Sequence, residues 1–381
     1  MRVAVVGAGV MGTSVAYHLA KGGAEVVLVE ERSAGSGTSS RGAGLVCEGM
    51  WHAGSLALVR RSMALLDELE RETKEAGWAY DVHHVGSTTL VPERLAGAAE
   101  RMAAFQRAHG ADARVMTPED VAKLPRHQGV RLDDVALAVH YPRDLWALPR
   151  MYCEIRAMTL EMMGREQVAR PARLVRSAGR VALDGVDADA VVLAAGVWTR
   201  ALLREVGLDA PLQAYRTQAQ RFAAPAAHEV PILHDAVQGF YLRPHWPGQL
   251  LVGDGTTTTP EDPDRYQQDA DATFVAASRR RLARRLPAFA EAKATDAWAG
   301  VDAATPDRLL LAGPHPDAPE VWLLAGGNGH GFMRAPAAGE ALAAKLLRKQ
   351  PLVDISAFDP GRFAGRMSTD FPIREGYTLE P

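Results

Sequence analysis

The sequence predicts an α/β fold with a Rossmann-like unit at its N-terminus, and three observations carry that prediction. Residues 2–6 (RVAVV) are an apolar run of strand character, and Gly7-Ala8-Gly9-Val10-Met11-Gly12 follows at once. Residues 13–21 then keep helical spacing until Gly22-Gly23 stops it, and residues 24–30 (AEVVLVE) form a second apolar strand ending in the acid Glu30. A second glycine-rich stretch, 325–332 (AGGNGHGF), lies far along the chain, again between an apolar strand and a helix. Strand, glycine turn, helix, strand and acid is the order a dinucleotide-binding unit requires.

Each position in the first unit has a physical task. Gly7 permits the tight turn out of the strand, Gly9 lets backbone approach a pyrophosphate, and Gly12 lets the helix lie close on the sheet. Ala8, Val10 and Met11 share the loop, and the helix N-terminus offers unpaired N–H groups and partial positive charge to phosphates. Glu30 stands close to the usual spacing of about 20 residues and accepts hydrogen bonds from ribose hydroxyls. An acid there repels a 2′-phosphate, which argues against NADP. Glu31 and Arg32 beside it belong to the same expected contact set.

The 381 residues allow two to three domains. Hydrophobic content of 47% and charge of 23% are those of a globular chain. A net charge of −3 gives no reason to invoke nucleic acid or an anionic membrane. Two cysteines, Cys47 and Cys153, make neither a disulfide framework nor a zinc site. A reducing, cytoplasmic compartment and no metal are expected. The first apolar run reads as a strand of the fold rather than a signal peptide, and no apolar run reaches the length of a spanning helix.

In chain order, residues 31–54 are small, polar and glycine-rich, and such long loops are usually functional or disordered. Thr38, Ser39, Arg41, Gly42, Ala43 and Gly44 are expected to line the far end of an extended dinucleotide. Residues 55–74 read as an amphipathic helix. Strands are expected within 80–91, a helix over 92–109, a helix start at Thr117-Pro118, and a strand over 135–141. The helix expected over 149–164 would bury Met151, Ile155, Met158 and Met162. Strands follow at 172–176, 180–183 and 190–195. Leu174 and Val175 are counted as dinucleotide contacts, as are Ala194, Ala195, Gly196 and Trp198, where small residues let backbone pass close to a ligand. Residues 213–223, 239–244 and 249–253 alternate like antiparallel strands. The arginine-rich helix 274–286 is expected to present a solvated face. Strands at 309–311 and 321–324 precede the second glycine loop and a helix over 335–349 with Pro336 in its first turn. Residues 350–381 read as an irregular strap.

If both glycine loops touch one ligand, the dinucleotide domain is discontinuous, and the helix after Phe332 aims its positive end at the ligand's other half. That arrangement suits a flavin, because a reduced flavin carries negative charge that a helix N-terminus stabilises. The second loop also argues against an NAD-dependent dehydrogenase.

The motifs GAGVMG, the 38–44 loop (TSSRGAG), AAGVW, WAGVDAATPD and GGNGHGFMRAPAAGEALA resemble the D-amino-acid-oxidase-type flavoproteins, which include glycine oxidase, sarcosine oxidase and dimethylglycine dehydrogenase. GHGFM followed by APAAGE, with FYLRP at 240–244, is most similar to the sarcosine oxidase β-subunit and dye-linked L-proline dehydrogenase branch. The resemblance implies FAD in an extended pose, a discontinuous FAD-binding domain (1–79, 140–210 and 298–381), and a substrate domain (80–139 and 211–297) with a large mixed, mostly antiparallel sheet. It implies oxidation of the C–N bond of a small amino acid such as sarcosine, proline or dimethylglycine, with oxygen or a carrier reoxidising the flavin. A glycine-oxidase-like enzyme or D-amino-acid dehydrogenase, and a flavin-binding subunit of a hetero-complex, are the alternatives; homo-oligomer and hetero-complex both stay open. Gly300, Asn328, Gly329, His330, Gly331, Phe332 and Met333 join the expected FAD contacts. Relatives with covalent flavin use a His in the loop after the second strand or a Cys after Trp-Ala-Gly. Here Arg41 and the 300–302 segment stand there, so the FAD is expected to be non-covalent. Asp302 occupies the place of a carboxylate-binding arginine and suggests a site for a cationic amine, while Met333 replaces a lysine. That leaves Arg243, beside Tyr241, as the expected carboxylate anchor. His330 is expected at the flavin ring. Cys47 reads as packing, and His52 is left open.

Overall fold

The computed structural model describes all residues except 178, 225–228, 247, 256–257, 259–261, 366–370, 372 and 374–381. A six-stranded sheet runs in the order Leu311–His315, Ala318–Ala325, Ala190–Leu193, Arg2–Val6, Glu25–Glu30, Glu166–Ala169. Its last five strands are parallel, and only the first is antiparallel to its neighbour. Parallel strands are buried on both faces, which explains why residues 3–6 and 26–29 are uniformly apolar.

The helix Val10–Lys21 follows the first strand, and Gly331–Leu346 follows the Ala318–Ala325 strand. The two helices lie against each other: a Cβ on Gly339 would stand 2.3 Å from Ser14 Oγ. The second helix begins four residues earlier than the sequence suggests, so Pro336 lies inside it rather than in its first turn. Neighbouring helices serve the backbone around the proline. The Ala337 N–H donates to Ser62 Oγ at 3.1 Å, and Ser14 Oγ donates to the Pro336 carbonyl at 3.0 Å.

The eight-stranded sheet has the order Ala294–Ala304, Gln213–Ala223, Gln249–Gly253, Phe240–Pro244, Ile232–Asp235, Ser87–Val91, Leu137–Tyr141, Arg114–Met116. Every pairing is antiparallel except Ile232–Asp235 with Ser87–Val91. The strands Leu137–Tyr141 and Ala294–Ala304 each run across an expected domain division, at 139/140 and at 297/298.

Two other expectations change. On the helix Pro149–Met162, Met158 and Met162 are 41% and 72% exposed, because the buried face is Tyr152, Cys153, Ile155 and Leu160. On the helix Ala272–Arg285, Arg285 is buried and paired with the buried Asp235 at 2.7 Å and with Asp134 at 2.9 Å, so that arginine is not on a solvated face. The expected strap at 350–381 falls partly outside the described residues; its described part carries short 3-10 turns at Ser356–Phe358 and Pro360–Phe363. Among the described residues no helix is long and apolar enough to cross a membrane.

Candidate active site

A cavity of about 620 Å³ opens at the carboxyl ends of the parallel strands, where Gly7, Ala194 and Gly326 leave the sheet. That is where open α/β sheets bind ligands. The first turns of the helices Val10–Lys21 and Gly331–Leu346 line it, through Val10 and Met11 on one and Gly331 and Phe332 on the other. The glycine loops meet there: a Cβ on Gly331 would lie 3.7 Å from the Met11 methyl.

Gly7 has φ +97° and leaves no room for a side chain beside the Ala194 carbonyl, and a Cβ on Gly12 would lie 1.7 Å from the Gly7 carbonyl oxygen. Gly9 differs. It lines the cavity, and the only atom within 4 Å of its missing Cβ is Ser39 Oγ at 3.3 Å. Glycine there opens backbone toward the cavity, as an approaching pyrophosphate requires.

At one end of the cavity the Glu30 carboxylate accepts N–H groups from Ala8 at 2.8 Å and Arg32 at 3.0 Å, which aims it along the loop. The loop after Glu30 is more ordered than its composition suggests, with a 3-10 turn at Thr38–Arg41 and a short strand at Leu45–Val46. Ser39 Oγ accepts the Val10 N–H at 3.1 Å, and Thr38 Oγ1 donates to the Val301 carbonyl at 2.6 Å. A Cβ on Gly300 would crowd Arg41 Cβ at 3.0 Å, so Gly300 serves close passage of this turn.

Next along the same strand, Asp302 clamps the second glycine loop. It accepts the Gly329 N–H at 2.8 Å, the Ala303 N–H at 2.7 Å and the Tyr215 hydroxyl at 3.2 Å. These donors occupy the carboxylate that the sequence suggested for a cationic amine. Burial raises the Asp302 pKa above the usual carboxylate value. Asn328 sits at φ +49° and braces the loop with its side chain, accepting the Thr305 N–H at 2.9 Å and donating to the Gly326 carbonyl at 2.6 Å. His330 Nδ1 lies 2.7 Å from the Asn328 carbonyl. A carbonyl only accepts, so Nδ1 carries the proton and Nε2 keeps a lone pair. Burial lowers the His330 pKa to about 3, which keeps the ring neutral. Its edge meets Trp51 at 5.3 Å, and the Arg308 guanidinium lies 4.5 Å from the Trp51 ring centroid. Trp51, Arg308 and His330 all line the cavity.

The eight-stranded sheet supplies the remaining wall. Register places Tyr241 opposite His234, His234 opposite Thr89 and Thr89 opposite Val139. These four residues form one row across four strands, and all four line the cavity. On the other side Tyr241 pairs with Gly253, and the phenol lies across that glycine, since a Cβ there would stand 2.3 Å from the hydroxyl. Burial pushes Tyr241 up to about 12 and His234 down to about 4, so both are neutral near pH 7.

Arg243, by contrast, does not line this cavity. Strand alternation puts it on the same sheet face as Tyr241, but there Ala43 and Trp146 already cover the face. Its Nε donates to the Ala43 carbonyl, Nη1 donates to the Pro244 carbonyl at 2.6 Å and meets His245 Nδ1 at 3.1 Å, and the guanidinium stacks 4.2 Å from the Trp146 ring centroid. The arginine is fully enclosed, so the expected carboxylate anchor is a structural tie. Leu174 and Val175 are also outside the lining. The Leu174 N–H is taken by Glu205, and the wall comes from the preceding Arg170, Pro171 and Ala172. Ala8 and Gly12 lie behind the loop rather than on its cavity face. His52 caps the helix Ala53–Glu75 by accepting the Ser55 N–H at 3.3 Å, and Cys47 is buried with its sulfur 3.6 Å from His234 Nε2. The other expected contacts, from Gly7, Gly9 and Glu30 through Arg41 and Trp198 to Asn328 and Met333, line the cavity.

Two glycine loops and two helix ends converging on one trench, walled by a mixed sheet, define a flavin-binding α/β architecture. The FAD dependent oxidoreductase family model matches residues 2–345, and the chain belongs to that family. It is an FAD-dependent oxidoreductase. The 4-methylaminobutanoate oxidase (formaldehyde-forming) of Paenarthrobacter nicotinovorans is 28% identical, over 97% of this chain and 46% of its own length. Glycine oxidase of Geobacillus kaustophilus (strain HTA426) is 27% identical, over 97% of this chain and 98% of its own. The chain thus spans about half of the first relative and nearly all of the second. Among solved structures, L-proline dehydrogenase from P. horikoshii superposes with a TM-score of 0.86 at 22% identity, over 96% of this chain and 98% of that one. This last likeness shows the fold.

Proposed function

We propose that the chain oxidises the C–N bond of a small amino acid, a secondary or tertiary amine of the sarcosine, proline or dimethylglycine kind. The observation that carries the reading is the continuity of one cavity from the first glycine loop, past the second, to the Tyr241–Val139 row. In this reading the six-stranded sheet serves FAD and the eight-stranded sheet serves the substrate. Gly7 and Gly9 with the Val10 end of the first helix would hold the pyrophosphate, and Glu30 would take ribose hydroxyls. The 329–332 loop and the helix behind it would hold the flavin ring, and that helix end would stabilise negative charge on it. Bound FAD supplies the hydride acceptor for the carbon next to nitrogen. The chain's own residues orient the amino acid and exclude water. Tyr241 presents a neutral phenol. His330 presents a neutral ring whose Nε2 lone pair accepts a hydrogen bond from the substrate's N–H. Arg308, held over Trp51, is the cation we assign to the substrate carboxylate in place of Arg243. The resulting imine hydrolyses in water. Arg41 and the 300–302 segment carry no residue for a flavin bond, which supports non-covalent FAD, and two buried unpaired cysteines support a reducing compartment such as the cytoplasm.

Anaerobic mixing of the yellow holoprotein with a panel of amino acids tests the reading. Bleaching by at least one secondary or tertiary amino acid is the expected result, and subsequent oxygen separates oxidase from dehydrogenase. A second reading, a flavin-binding subunit of a hetero-complex, is favoured by the enclosure of Arg243. A yellow protein that no amino acid bleaches would establish it over the first.

A further inference from the structure

The cavity does not end at the residues assigned to flavin and amine. It continues along the sheet beneath the helix Ala96–Ala108, where Ala99, Met102 and Gln106 line it. These three recur at helical spacing and so form one face. Opposite them stand Val139 and Tyr141. Neighbouring strands are about 4.8 Å apart, so the row from Tyr241 to Val139 spans about 14 Å. One amino-acid unit advances by only about 3.5 Å. An unsubstituted amino acid beside Tyr241 therefore leaves most of the row uncovered.

The chemistry of this lobe is apolar. Ala99, Met102 and Val139 present only carbon and one thioether sulfur. The two polar side chains at its end are turned on the protein: the Tyr141 hydroxyl donates to Gln106 Oε1 at 2.7 Å, and Gln106 Nε2 donates to the Met50 carbonyl at 3.1 Å. No Lys, Arg, Asp or Glu from this helix or these strands lines the lobe among the described residues. It is thus unsuited to a charged chain end and suited to methylene or ring carbon.

We infer that this lobe is a substituent pocket, and that the substrate is an amino acid bearing an apolar chain or ring longer than a methyl group on its nitrogen or α-carbon. The inference rests on the proposed function for where the reacting end sits. Met102 and Ala99 set the depth, and Thr89 with His234 forms the mouth.

The test uses binding rather than turnover. The holoprotein is titrated with acetate, hexanoate and 4-phenylbutyrate while the flavin absorbance is followed. Affinity is expected to rise about two- to fourfold per added methylene. Met102→Trp, and independently Ala99→Leu, are expected to abolish that rise while leaving the acetate titration unchanged, with the melting temperature of each variant showing that it is folded. Equal affinity for the three acids in the unmodified protein would overturn the inference. So would a rise with length that survives both substitutions, because the chain would then lie elsewhere. Bleaching assays with N-methyl-, N-butyl- and N-benzylglycine complete the test. The longer two are expected to exceed sarcosine in kcat/KM and to lose at least tenfold in Met102→Trp. If no amino acid bleaches the flavin yet the acids bind with length dependence, the oxidation reading fails and the pocket stands.

Discussion

Gly253→Ala probes the placement of Tyr241 without touching it. The added Cβ would lie 2.3 Å from the Tyr241 hydroxyl oxygen, 2.4 Å from Cζ and 2.7 Å from Cε1. Ordinary contact lies at about 3.5–4.0 Å, so the ring tip must move by more than 1 Å. The strand register fixes the backbone, because Gly253 pairs with Tyr241 on one side and with Ala219 on the other. Relief therefore falls on the phenol. A misplacement of about 1 Å costs on the order of 100-fold in rate, and overpacking costs about 1–3 kcal/mol of stability. Anaerobic flavin reduction and thermal melting read the two effects separately. Tyr241→Ala is the second arm of a double-mutant cycle, since removal of the ring leaves the new methyl space. The stability cost of Gly253→Ala is expected to vanish in the Tyr241→Ala background. Unchanged reduction kinetics and melting in Gly253→Ala would refute the placement, as would a cost that persists without the ring.

Other perturbations separate holding from chemistry. Asp302→Ala leaves the Gly329 N–H without its acceptor, a loss of about 1–3 kcal/mol, and apoprotein titration should show FAD bound at least fivefold more weakly. Arg243→Met is expected to lower stability by about 1–3 kcal/mol by stripping donors from the Ala43 and Pro244 carbonyls, while substrate KM stays within twofold; a KM rise of tenfold would return the carboxylate to Arg243. Arg308→Met is expected to raise substrate KM at least tenfold while FAD affinity is unchanged. Asp144 gives a pH signature. Burial pushes its pKa up to about 7 despite hydrogen bonds from Ser87 Oγ at 2.5 Å and the Glu48 N–H at 2.9 Å. The folded state then holds the proton more tightly than the unfolded state, so the contribution is complete below about pH 4 and is lost as pH rises through about 7, on the order of 4 kcal/mol in all. Urea midpoints should fall between pH 5 and pH 8, and Asp144→Asn should flatten that fall.

The first unit was legible because its information is local. Gly7, Gly9, Gly12 and Glu30 lie within one strand–helix–strand segment, so their spacing shows in the sequence. The second loop was legible for the same reason, and the family motifs supplied its partner. The Tyr241–His234–Thr89–Val139 row was not, because parallel pairing of Ile232–Asp235 with Ser87–Val91 joins segments far apart in sequence, and no local pattern announces register. Arg243 shows where alternation stops informing. Period two placed it on the correct face, but only tertiary structure reveals that Ala43 and Trp146 cover it. Met158 and Met162 erred likewise, since apolar spacing marks a face without showing whether anything packs on it. Arg308 followed directly on the Thr305-Pro306-Asp307 motif and was passed over, because one arginine among many carries no signal until Trp51 is seen beneath it.

Both glycine loops are expected to grip a single FAD. A crystal structure of the yellow holoprotein tests it most directly. The pyrophosphate is expected at the Val10 end of the helix Val10–Lys21 and the isoalloxazine at the Gly331 end of the helix Gly331–Leu346. A dinucleotide touching only one of these loops, or a flavin ring turned away from the Tyr241 face of the sheet, would contradict it.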